Sequence, residues 1–307
     1  MTSNPPNPPN DPQPDPQPDP QPDPSDAELN TPPVLREIIG VKRREVAAAK
    51  ARTPLHELEA MVAQEEPPRN FFRAVTRKSN TPAVIAEIKR RSPSAGLIRP
   101  EYDGDGFRPE DIAKAYFQNG ASAISCLTDE NFFGGHLAFI RRVKNAVPLP
   151  VIRKDFLIDP YQLWESRASG ADAVLLIAEC LTESQIVDML ILAQQLQLTV
   201  LLEVHSMENL LRVRPHVGFP HPAYCLLGIN NRDLTTMAVD LGHTLRLVDL
   251  VDDRTVLVSE SGIKTPDDLR RLKEEDVRIV LVGEHLMRQP SPGRALAELL
   301  GNQPVES

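Results

Sequence analysis

Eight short apolar runs, rich in β-branched residues, recur along the chain between residues 83 and 282. They begin on average about 28 residues apart, which is too far for hairpins and sufficient for a strand, a helix and two loops. Near-continuous apolar runs are typical of parallel strands covered on both faces. The pattern therefore predicts parallel strands joined by helical crossovers. The eight runs are Ala83–Ile88, Ala123–Leu127, Pro150–Arg153, Ala173–Ala178, Thr199–Val204, Tyr224–Ile229, Thr255–Ser259 and Ile279–Val282.

Amphipathic stretches with helix-start signals lie between the runs, for example after Thr182 and Thr265. Eight such units in one chain predict an α/β fold, a closed (β/α)8 TIM barrel. The rival open sheet usually carries a G-x-G-x-x-G turn after its first strand, and this chain has Lys-Arg-Arg-Ser-Pro-Ser there. Before the first strand, three extra N-terminal helices are predicted to cap the barrel, over Val34–Ala49, Leu55–Gln64 and Phe71–Arg77.

The first 30 residues differ from the rest of the chain in composition. They contain eleven prolines, no Lys or Arg, and a near-perfect Asp-Pro-Gln-Pro repeat from Asp11 to Pro24. So few apolar residues cannot offset the entropy lost when a chain becomes ordered. We therefore expect residues 1–32 to form a disordered Pro/Asp-rich tail, and residues 33–307 to form one barrel domain that includes the capping helices.

Six carboxylates of this tail account for −6 of the formal net charge of −9. The rest of the chain is nearly balanced, which argues against a nucleic-acid binder with a broadly basic surface and leaves room for a local anion pocket. No apolar run reaches the ~18 residues of a membrane helix, and the first residues lack the features of a secretory signal. A soluble cytoplasmic protein is the expectation, with neither nucleic acid nor membrane as a partner.

The three cysteines, Cys126, Cys180 and Cys225, are widely separated within apolar runs. They lack Cys-x-x-Cys spacing, so buried reduced thiols are predicted rather than a metal site or a disulfide. The histidines form no H-E-x-x-H motif. The stretch from Glu101 to Gly106 faintly resembles a calcium loop, but its twelfth position is Ile112 instead of Glu. No metal is expected.

Charged residues that end the apolar runs are the candidates for chemistry, because barrel enzymes place their active sites at the carboxyl ends of the strands. Glu87 and Lys89 are two residues apart and should point to the same side, as a structural ion pair or as ligand-binding groups. Ser92 and Ser94 follow in a basic loop that could be a phosphorylation motif. Their position directly after a strand favours ligand binding.

The third run ends in Arg153-Lys154-Asp155-Phe156. Burial beside other cations lowers the pKa of a lysine, which makes Lys154 a candidate general acid. The alternative is an exposed Lys154–Asp155 pair of little energetic value. Glu203 closes the fifth run, where its carboxylate is expected to face Lys154 across the barrel mouth.

Polar and small residues follow the sixth, seventh and eighth runs. Arg232, after Asn230, offers a planar group suited to a carboxylate. The segments Ser259–Gly262 and Gly283–Glu284 lie where barrel enzymes often bind phosphate, and a helix expected near residues 291–293 could add its dipole. The glycines could instead only turn the chain. A phosphorylated small-molecule substrate is the expectation.

The strand-end segments together resemble the indole-3-glycerol-phosphate synthase family. The resemblance runs in chain order over about residues 33–300. The segments that carry it are Ala86–Ser94, Leu127–Gly135, Arg153–Phe156, Leu202–His205, Gly228–Leu234 and Ser259–Gly262.

This resemblance implies ring closure, decarboxylation and dehydration of 1-(2-carboxyphenylamino)-1-deoxyribulose 5-phosphate, a carboxy-lyase step of tryptophan biosynthesis that needs no cofactor. Lys154 would be the general acid that protonates the ribulose carbonyl, and Glu203 would support it. Glu87 and Lys89 would serve binding and dehydration, with the division of acid and base roles left open.

The resemblance also implies binding roles for further residues. Substrate-binding positions are Ser92, Asn230, Arg232 and Glu260, with apolar lining from Phe132, Phe156 and Leu234. Phosphate-binding positions are Ser261, Gly262, Gly283 and Glu284. The chain departs from the family pattern in the loop Tyr102–Gly106 and at Glu284, where some relatives carry a small residue.

Two other functions are compatible with a barrel. A phosphoribosylanthranilate isomerase-like enzyme would need a Cys/Asp acid–base pair in place of Lys154 and Glu203. A barrel without catalytic activity could serve as a binding module. For the assembly, a monomer or a weak homo-oligomer is expected.

Overall fold

The computed structural model describes residues 31–305, apart from the side chain of Asp105. Eight parallel strands form a closed barrel in which each strand pairs with its neighbours in the chain and the first pairs with the last. Ala83 lies opposite Ile279 on one side and Ile85 opposite Ala123 on the other. The predicted (β/α)8 barrel is confirmed. Its strands are β1 (Ala83–Ile88), β2 (Ala123–Leu127), β3 (Val151–Lys154), β4 (Ala173–Ile177), β5 (Thr199–Val204), β6 (Cys225–Asn230), β7 (Leu257–Glu260) and β8 (Ile279–Val282).

The helices between Pro33 and Leu299 surround this barrel and cover its ends. Among residues 31–305, none of them combines the length and the apolar character that a membrane crossing needs. They are α1 (Pro33–Arg52), α2 (Leu55–Gln64), α3 (Phe71–Thr76), α4 (Pro109–Gln118), α5 (Ala138–Ala146), α6 (Tyr161–Ala168), α7 (Glu183–Gln195), α8 (Met207–Val213), α9 (Gly242–Leu247), α10 (Pro266–Glu274), α11 (Glu284–Met287) and α12 (Pro292–Leu299).

Several strand boundaries differ from the predicted ones. Strand β7 begins at Leu257 instead of Thr255, because the side chain of Asp253 accepts the Thr255 N–H and holds residues 254–256 in a 3₁₀ turn. Strands β3, β6 and β7 each end one residue later than predicted. As a result Lys154, Asn230 and Glu260 are the last residues of their strands and are held by the barrel ladder.

The three N-terminal helices contact both ends of the barrel. At the carboxyl end, α1 places Val34, Leu35 and Ile38 in the wall of the central cavity. At the opposite end, the Arg69 guanidinium donates hydrogen bonds to three backbone carbonyls around α5, and the fully buried Phe71 of α3 follows it. α1 and α3 therefore act as caps, as predicted, whereas Leu58 of α2 packs in one cluster with Tyr161 and Ala168 of α6.

The cysteines, the N-terminal segment and the loop after β1 were also singled out in the sequence. All three cysteines are buried and free, which confirms the prediction of reduced thiols. The segment expected to be a disordered tail lies outside the described residues except for Thr31 and Pro32, and the Thr31 hydroxyl donates to the Glu179 carbonyl over 3.1 Å. In the loop after β1, Tyr102 is buried and meets Phe107 edge to face, with ring centroids 5.4 Å apart.

Candidate active site

A cavity of about 590 Å³ opens at the carboxyl end of the barrel. This volume lies in the range of sites that bind small molecules and cofactors. All predicted site residues line the cavity, with the exception of Phe132. They come from strand ends or from the loops directly after them, so the barrel itself brings together residues that are far apart in the chain.

Phe132 is the one residue that the structure places differently. The carboxylate of Asp129 accepts the backbone N–H groups of Phe132 and Phe133, at 2.7 and 3.1 Å, and fixes the turn after β2. This turn directs Phe133 to the cavity, where its ring centroid lies 6.0 Å from that of Phe156. The apolar wall assigned to Phe132 is therefore formed by Phe133.

Lys154, the last residue of β3, lies between two carboxylates from other strands. Its Nζ is 2.5 Å from Oε2 of Glu203 in β5 and 3.2 Å from Oε2 of Glu260 in β7. Only 12% of the Lys154 side chain is exposed. The prediction that Glu203 faces Lys154 across the barrel mouth is confirmed.

The expected lowering of the Lys154 pKa is wrong. Burial acts in that direction, but the negative charges of Glu203, Glu260 and Glu87 outweigh it and raise the pKa of Lys154. The prediction assumed neighbouring cations, and the nearest groups in the barrel are carboxylates. Lys154 is therefore held as an ammonium group, which is the form of a proton donor.

Glu203 and Glu260 differ in protonation. Burial would raise the pKa of Glu203, but the charges of Lys154 and His205 lower it to about 2. For Glu260, burial and the negative charge of Glu203 raise the pKa well above its ordinary value. Its Oε1 atom is buried without a hydrogen-bond partner. The two carboxyl groups beside the same ammonium group thus have pKa values that are shifted in opposite directions.

The alternative of an exposed Lys154–Asp155 pair is wrong as well. Asp155 is buried and pairs with Lys42 at 2.9 Å and with Arg153 at 3.1 Å. Burial would raise the pKa of Asp155, but these two cations lower it to about 2. Asp155 therefore turns away from Lys154 and anchors the loop after β3.

Glu87 and Lys89 form an ion pair at the end of β1, with 2.6 Å between Oε1 and Nζ. Both face the cavity, as the two-residue spacing predicted. Gly283, at the end of β8, lies directly against Glu87. A Cβ atom on Gly283 would be 2.2 Å from Glu87 Oε1, so this glycine makes room for the carboxylate.

Asn230 connects the turns after β6 and β7. Its side-chain oxygen accepts the hydroxyl of Ser261 at 2.9 Å and the backbone N–H of Arg232 at 3.1 Å. Ser261 and Gly262 both have left-handed backbone conformations, with φ of 67° and 82°. Such a conformation is strained for serine and is typical of ligand-binding turns.

The loops after β7 and β8 carry the cations of the cavity rim. Lys264 and Arg288 line it together with Arg232, which lies 3.4 Å from Glu284. Burial would raise the pKa of Glu284, but its hydrogen bond to Arg288 and the charges of Lys89 and Arg232 lower it. This side of the cavity is suited to an anion.

The helix expected near residues 291–293 to contribute its dipole lies elsewhere. These residues begin α12, and a Cβ atom on Gly293 would be 2.7 Å from the carbonyl oxygen of Ala115 in α4. The cavity wall extends only to Gln289. The helix that begins at the cavity is α11, which starts directly after Gly283.

The sequence interpretation missed several parts of the cavity wall, among them Lys264 and Arg288, His205, and the apolar residues of α1. His205 lines the cavity, and its position two residues after Glu203 could have indicated this, because side chains two residues apart in an extended chain point to the same side. The apolar residues of α1 had no comparable signal. Within residues 31–305, no group of three or more His, Cys, Asp or Glu side chains is arranged to hold a metal ion.

A known protein family matches most of the chain. The family model described as indole-3-glycerol phosphate synthase matches residues 35–299. A curated protein of that name from Rhodospirillum rubrum is 44% identical over 270 residues, which cover 87% of this chain and 99% of the relative. Another, from Albidiferax ferrireducens, is 45% identical over 268 residues, which cover 87% of this chain and 97% of that relative.

Solved structures support the fold. The 3-hexulose-6-phosphate synthase from Salmonella typhimurium superposes with a TM-score of 0.54 at 12% identity, over 71% of this chain and 98% of that protein. The tryptophan synthase α subunit from Legionella pneumophila gives a TM-score of 0.50 at 16% identity, over 80% of this chain and 97% of that subunit. At such low identity the likeness concerns the barrel alone.

Proposed function

The chain belongs to the indole-3-glycerol phosphate synthase family of carboxy-lyases in tryptophan biosynthesis, and we propose that Lys154 is the general acid of its reaction. The observation that carries this assignment is the position of the Lys154 ammonium group, buried in the cavity between Glu203 and Glu260. The proposed substrate is 1-(2-carboxyphenylamino)-1-deoxyribulose 5-phosphate, a phosphorylated small molecule with an aromatic ring at its other end.

The two sides of the cavity suggest how this substrate lies. The apolar wall of Phe133, Phe156 and α1 suits the aromatic ring. The opposite wall, with Arg232 and Lys264 near the turn at Ser261 and Gly262, suits the phosphate, since glycine lets backbone N–H groups approach an anion closely. The ribulose carbonyl then lies between the two sides, near Lys154.

Ring closure forms a bond between the aromatic carbon that bears the carboxylate and the ribulose carbonyl carbon. The π electrons of the carbonyl move to its oxygen, which takes a proton from Lys154. A raised pKa is compatible with this role, because the oxygen that develops is an alkoxide and is more basic than an amine. The proton donor is thus ionised before the reaction and can transfer its proton during it.

Decarboxylation follows from the charge that ring closure leaves on the aromatic system. The bond to the carboxylate breaks, carbon dioxide departs, and its electron pair restores the aromatic ring. The ionised Glu203 stabilises positive charge beside Lys154 during these steps.

Dehydration needs one acid and one base, and the pair Glu87 and Lys89 supplies both. One member protonates the departing hydroxyl group, which leaves as water. The other takes the proton from the neighbouring ring carbon, and the new double bond completes the indole. Glu260, Asn230 and Ser92 are proposed to bind the substrate hydroxyl and amine groups from the surrounding wall.

An isomerase with a Cys/Asp pair has no support from the cavity, because its wall contains none of the three cysteines. A binding module without activity would have no need for an ammonium group between two buried carboxylates, since such burial is costly. Both alternatives are therefore set aside.

The test is to follow formation of indole-3-glycerol phosphate by the purified protein and by the variants Lys154→Ala and Lys50→Ala. We expect Lys154→Ala to lower kcat by about three orders of magnitude or more, with unchanged helical circular dichroism. Lys50→Ala removes an exposed lysine paired with Asp159 and should leave kcat unchanged. Near-normal turnover in Lys154→Ala would show that Lys154 is not the general acid. If the wild-type protein formed no indole-3-glycerol phosphate, the proposed reaction would be refuted.

A further inference from the structure

His205 lies directly beyond β5 and lines the cavity beside Glu203, and the reaction as described above gives it no role. Only 7% of its side chain is exposed. A buried imidazole next to the carboxylate that holds the general acid can influence the proton transfer without touching the substrate.

Both ring nitrogens of His205 face carboxylate oxygens. Nδ1 lies 3.1 Å from Glu179 Oε2, and Nε2 lies 3.3 Å from Glu203 Oε1. The other oxygen of Glu203 contacts Lys154 at 2.5 Å. A continuous line of four groups therefore runs from Glu179 through His205 and Glu203 to Lys154, with alternating charges when His205 is protonated.

Glu179 is fixed in place from two further directions. Its Oε1 atom accepts the backbone N–H of His205 at 2.8 Å and the side-chain amide of Asn209 at 3.0 Å. This carboxylate is buried, so it cannot turn away from the imidazole without the loss of these bonds. Glu179 thus sets the position of the ring.

A neutral imidazole has one donor and one acceptor nitrogen, whereas an imidazolium has two donors. Between two carboxylates, only the imidazolium can donate to both. Burial would lower the pKa of His205, but its hydrogen bond to Glu179 and the charge of Glu203 outweigh burial and the opposing charge of Lys154, and raise that pKa.

Other titratable or charged groups also face His205. Burial and the charges of Arg246 and His205 lower the pKa of His243, which comes from α9. Glu208, Arg212 and Asp233 lie around a smaller neighbouring cavity that His205 also lines. Glu179 and Glu203 are the carboxylates at its ring nitrogens, so they dominate its charge state.

We propose that His205, held as an imidazolium between Glu179 and Glu203, is a positioning residue that orients the Glu203 carboxylate and keeps Lys154 a sufficiently strong acid. This inference rests on the proposed role of Lys154. The positive charge of His205 offsets part of the field of Glu203, which otherwise holds the proton on Lys154 more tightly. Loss of the His205 proton should therefore slow the protonation of the substrate carbonyl.

The first experiment measures the pH dependence of kcat and kcat/KM for the wild type and His205→Gln, which can accept or donate a hydrogen bond but cannot titrate. At pH 7 we expect kcat of the variant to fall about tenfold and KM to stay within about twofold, because the change acts on a proton transfer and not on binding. The wild-type profile should fall at alkaline pH, with a midpoint above about pH 7, and this limb should be absent from the variant. His216→Gln, which removes a histidine paired with Glu183 at 2.8 Å outside the cavity, is the matched control.

A second variant keeps the proposal testable if His205→Gln does not fold. Glu179→Gln preserves the shape of the anchor but removes the charge that holds the imidazolium, so the alkaline limb should move to lower pH by about half a unit or more. A merely structural role of His205 would leave the limb in place. An unmoved limb in Glu179→Gln, or the wild-type limb retained in His205→Gln, would overturn the proposal.

The charge of His205 can be observed without any assay of the reaction. In NMR spectra of the protein with ¹³C-labelled histidine, the signal of His205 is identified as the one that is missing from His205→Gln. If that variant does not fold, it is identified as the one that shifts in Glu179→Gln. We expect it to show an imidazolium at pH 7. A neutral ring at that pH would refute the inference even if the wild type makes product, and an inactive wild type with a charged His205 would instead refute the proposed reaction.

Discussion

At the scale of single residues, two glycines leave the space that carboxylates of the site occupy. A Cβ atom on Gly228 would lie 2.3 Å from Glu260 Oε1, as one on Gly283 would meet Glu87. Neither glycine has a left-handed backbone, and φ of Gly283 is −125°. The reason for glycine at these positions is therefore the close approach of a side chain and not the conformation of the chain.

Gly228→Ala should reduce activity more than it reduces stability. The contacted atom is the end of a flexible side chain, so Glu260 can move away, and the nearby Leu201 methyl group at 3.2 Å needs only a small shift. We expect the free energy of unfolding to fall by about 1 kcal/mol, the low end of the cost of overpacking. Displacement of Glu260 from Lys154 should lower kcat about tenfold or more. Steady-state kinetics and urea unfolding measure the two effects.

Gly40→Ala is the control for this substitution. Gly40 lies within α1, and a Cβ atom there has no neighbour within 4 Å, so kcat should not change. Because alanine favours the helix, stability should rise by roughly 0.5–1 kcal/mol. Wild-type kcat in Gly228→Ala would show that the position of Glu260 does not matter for the reaction.

The positions of the main site residues could be predicted from the sequence, but their protonation could not. Glu87, Lys154 and Glu203 end apolar runs, and the barrel rule places such residues at the active site. The groups that determine the pKa of Lys154 are 49 and 106 residues away along the chain. Whether carboxylates or cations surround it depends on the closed barrel, and the local sequence contains no sign of it.

At the scale of elements, α1 shows what a helix prediction leaves open. Its apolar periodicity predicted a helix, but Lys42 had no feature in the sequence that marked it as buried. In the barrel, Lys42 reaches Asp129 at 3.0 Å and Asp155 at 2.9 Å, at the ends of β2 and β3. These ion pairs fix α1 over the cavity and explain why the helix covers the carboxyl end of the barrel.

Lys42→Met should strongly destabilise the protein, because it removes the cation that the buried carboxylates of Asp129 and Asp155 share. Removal of one partner from a buried ion pair typically costs about 3–5 kcal/mol. Lys50→Met in the same helix removes an ion pair whose lysine is 47% exposed, and should cost less than about 1 kcal/mol. Urea unfolding of both variants gives the comparison, and similar losses in the two would mean that Lys42 does not anchor α1.

At the scale of the whole molecule, the barrel was predictable because its eight runs recur at spacings long enough for a helix, with helix signals between them. The ends of the strands were less predictable, because they depend on single side chains such as Asp253, which holds the turn before β7. The course of the chain over the ends of the barrel was not predictable. It follows from contacts such as those of Arg69 and Lys42, which join segments distant in sequence.

Buried carboxylates with pKa shifts of opposite sign determine how the stability of the whole protein depends on pH. Asp155 and Glu203, with pKa values of about 2, stabilise the fold above their unfolded pKa and lose this contribution as the pH falls toward 2. Burial raises the pKa values of Glu260 and Asp172 in the folded protein. These two groups therefore favour the fold most below their unfolded pKa, and this contribution to stability is lost as the pH rises. The total curve mixes the two kinds of group, so one of them is best isolated by a variant.

Asp155→Asn isolates the contribution of one carboxylate. The pKa of Asp155 is depressed from 3.8 to about 2, so ionisation of Asp155 contributes about 2 kcal/mol of stability at neutral pH, and this is lost between about pH 4 and pH 2. The variant cannot titrate at this position. The difference in unfolding free energy between the wild type and Asp155→Asn should therefore shrink by about 1 kcal/mol from pH 6 to pH 3, as measured by urea unfolding at each pH. A difference that stays constant over this range would mean that Asp155 is not held as a carboxylate by Lys42 and Arg153.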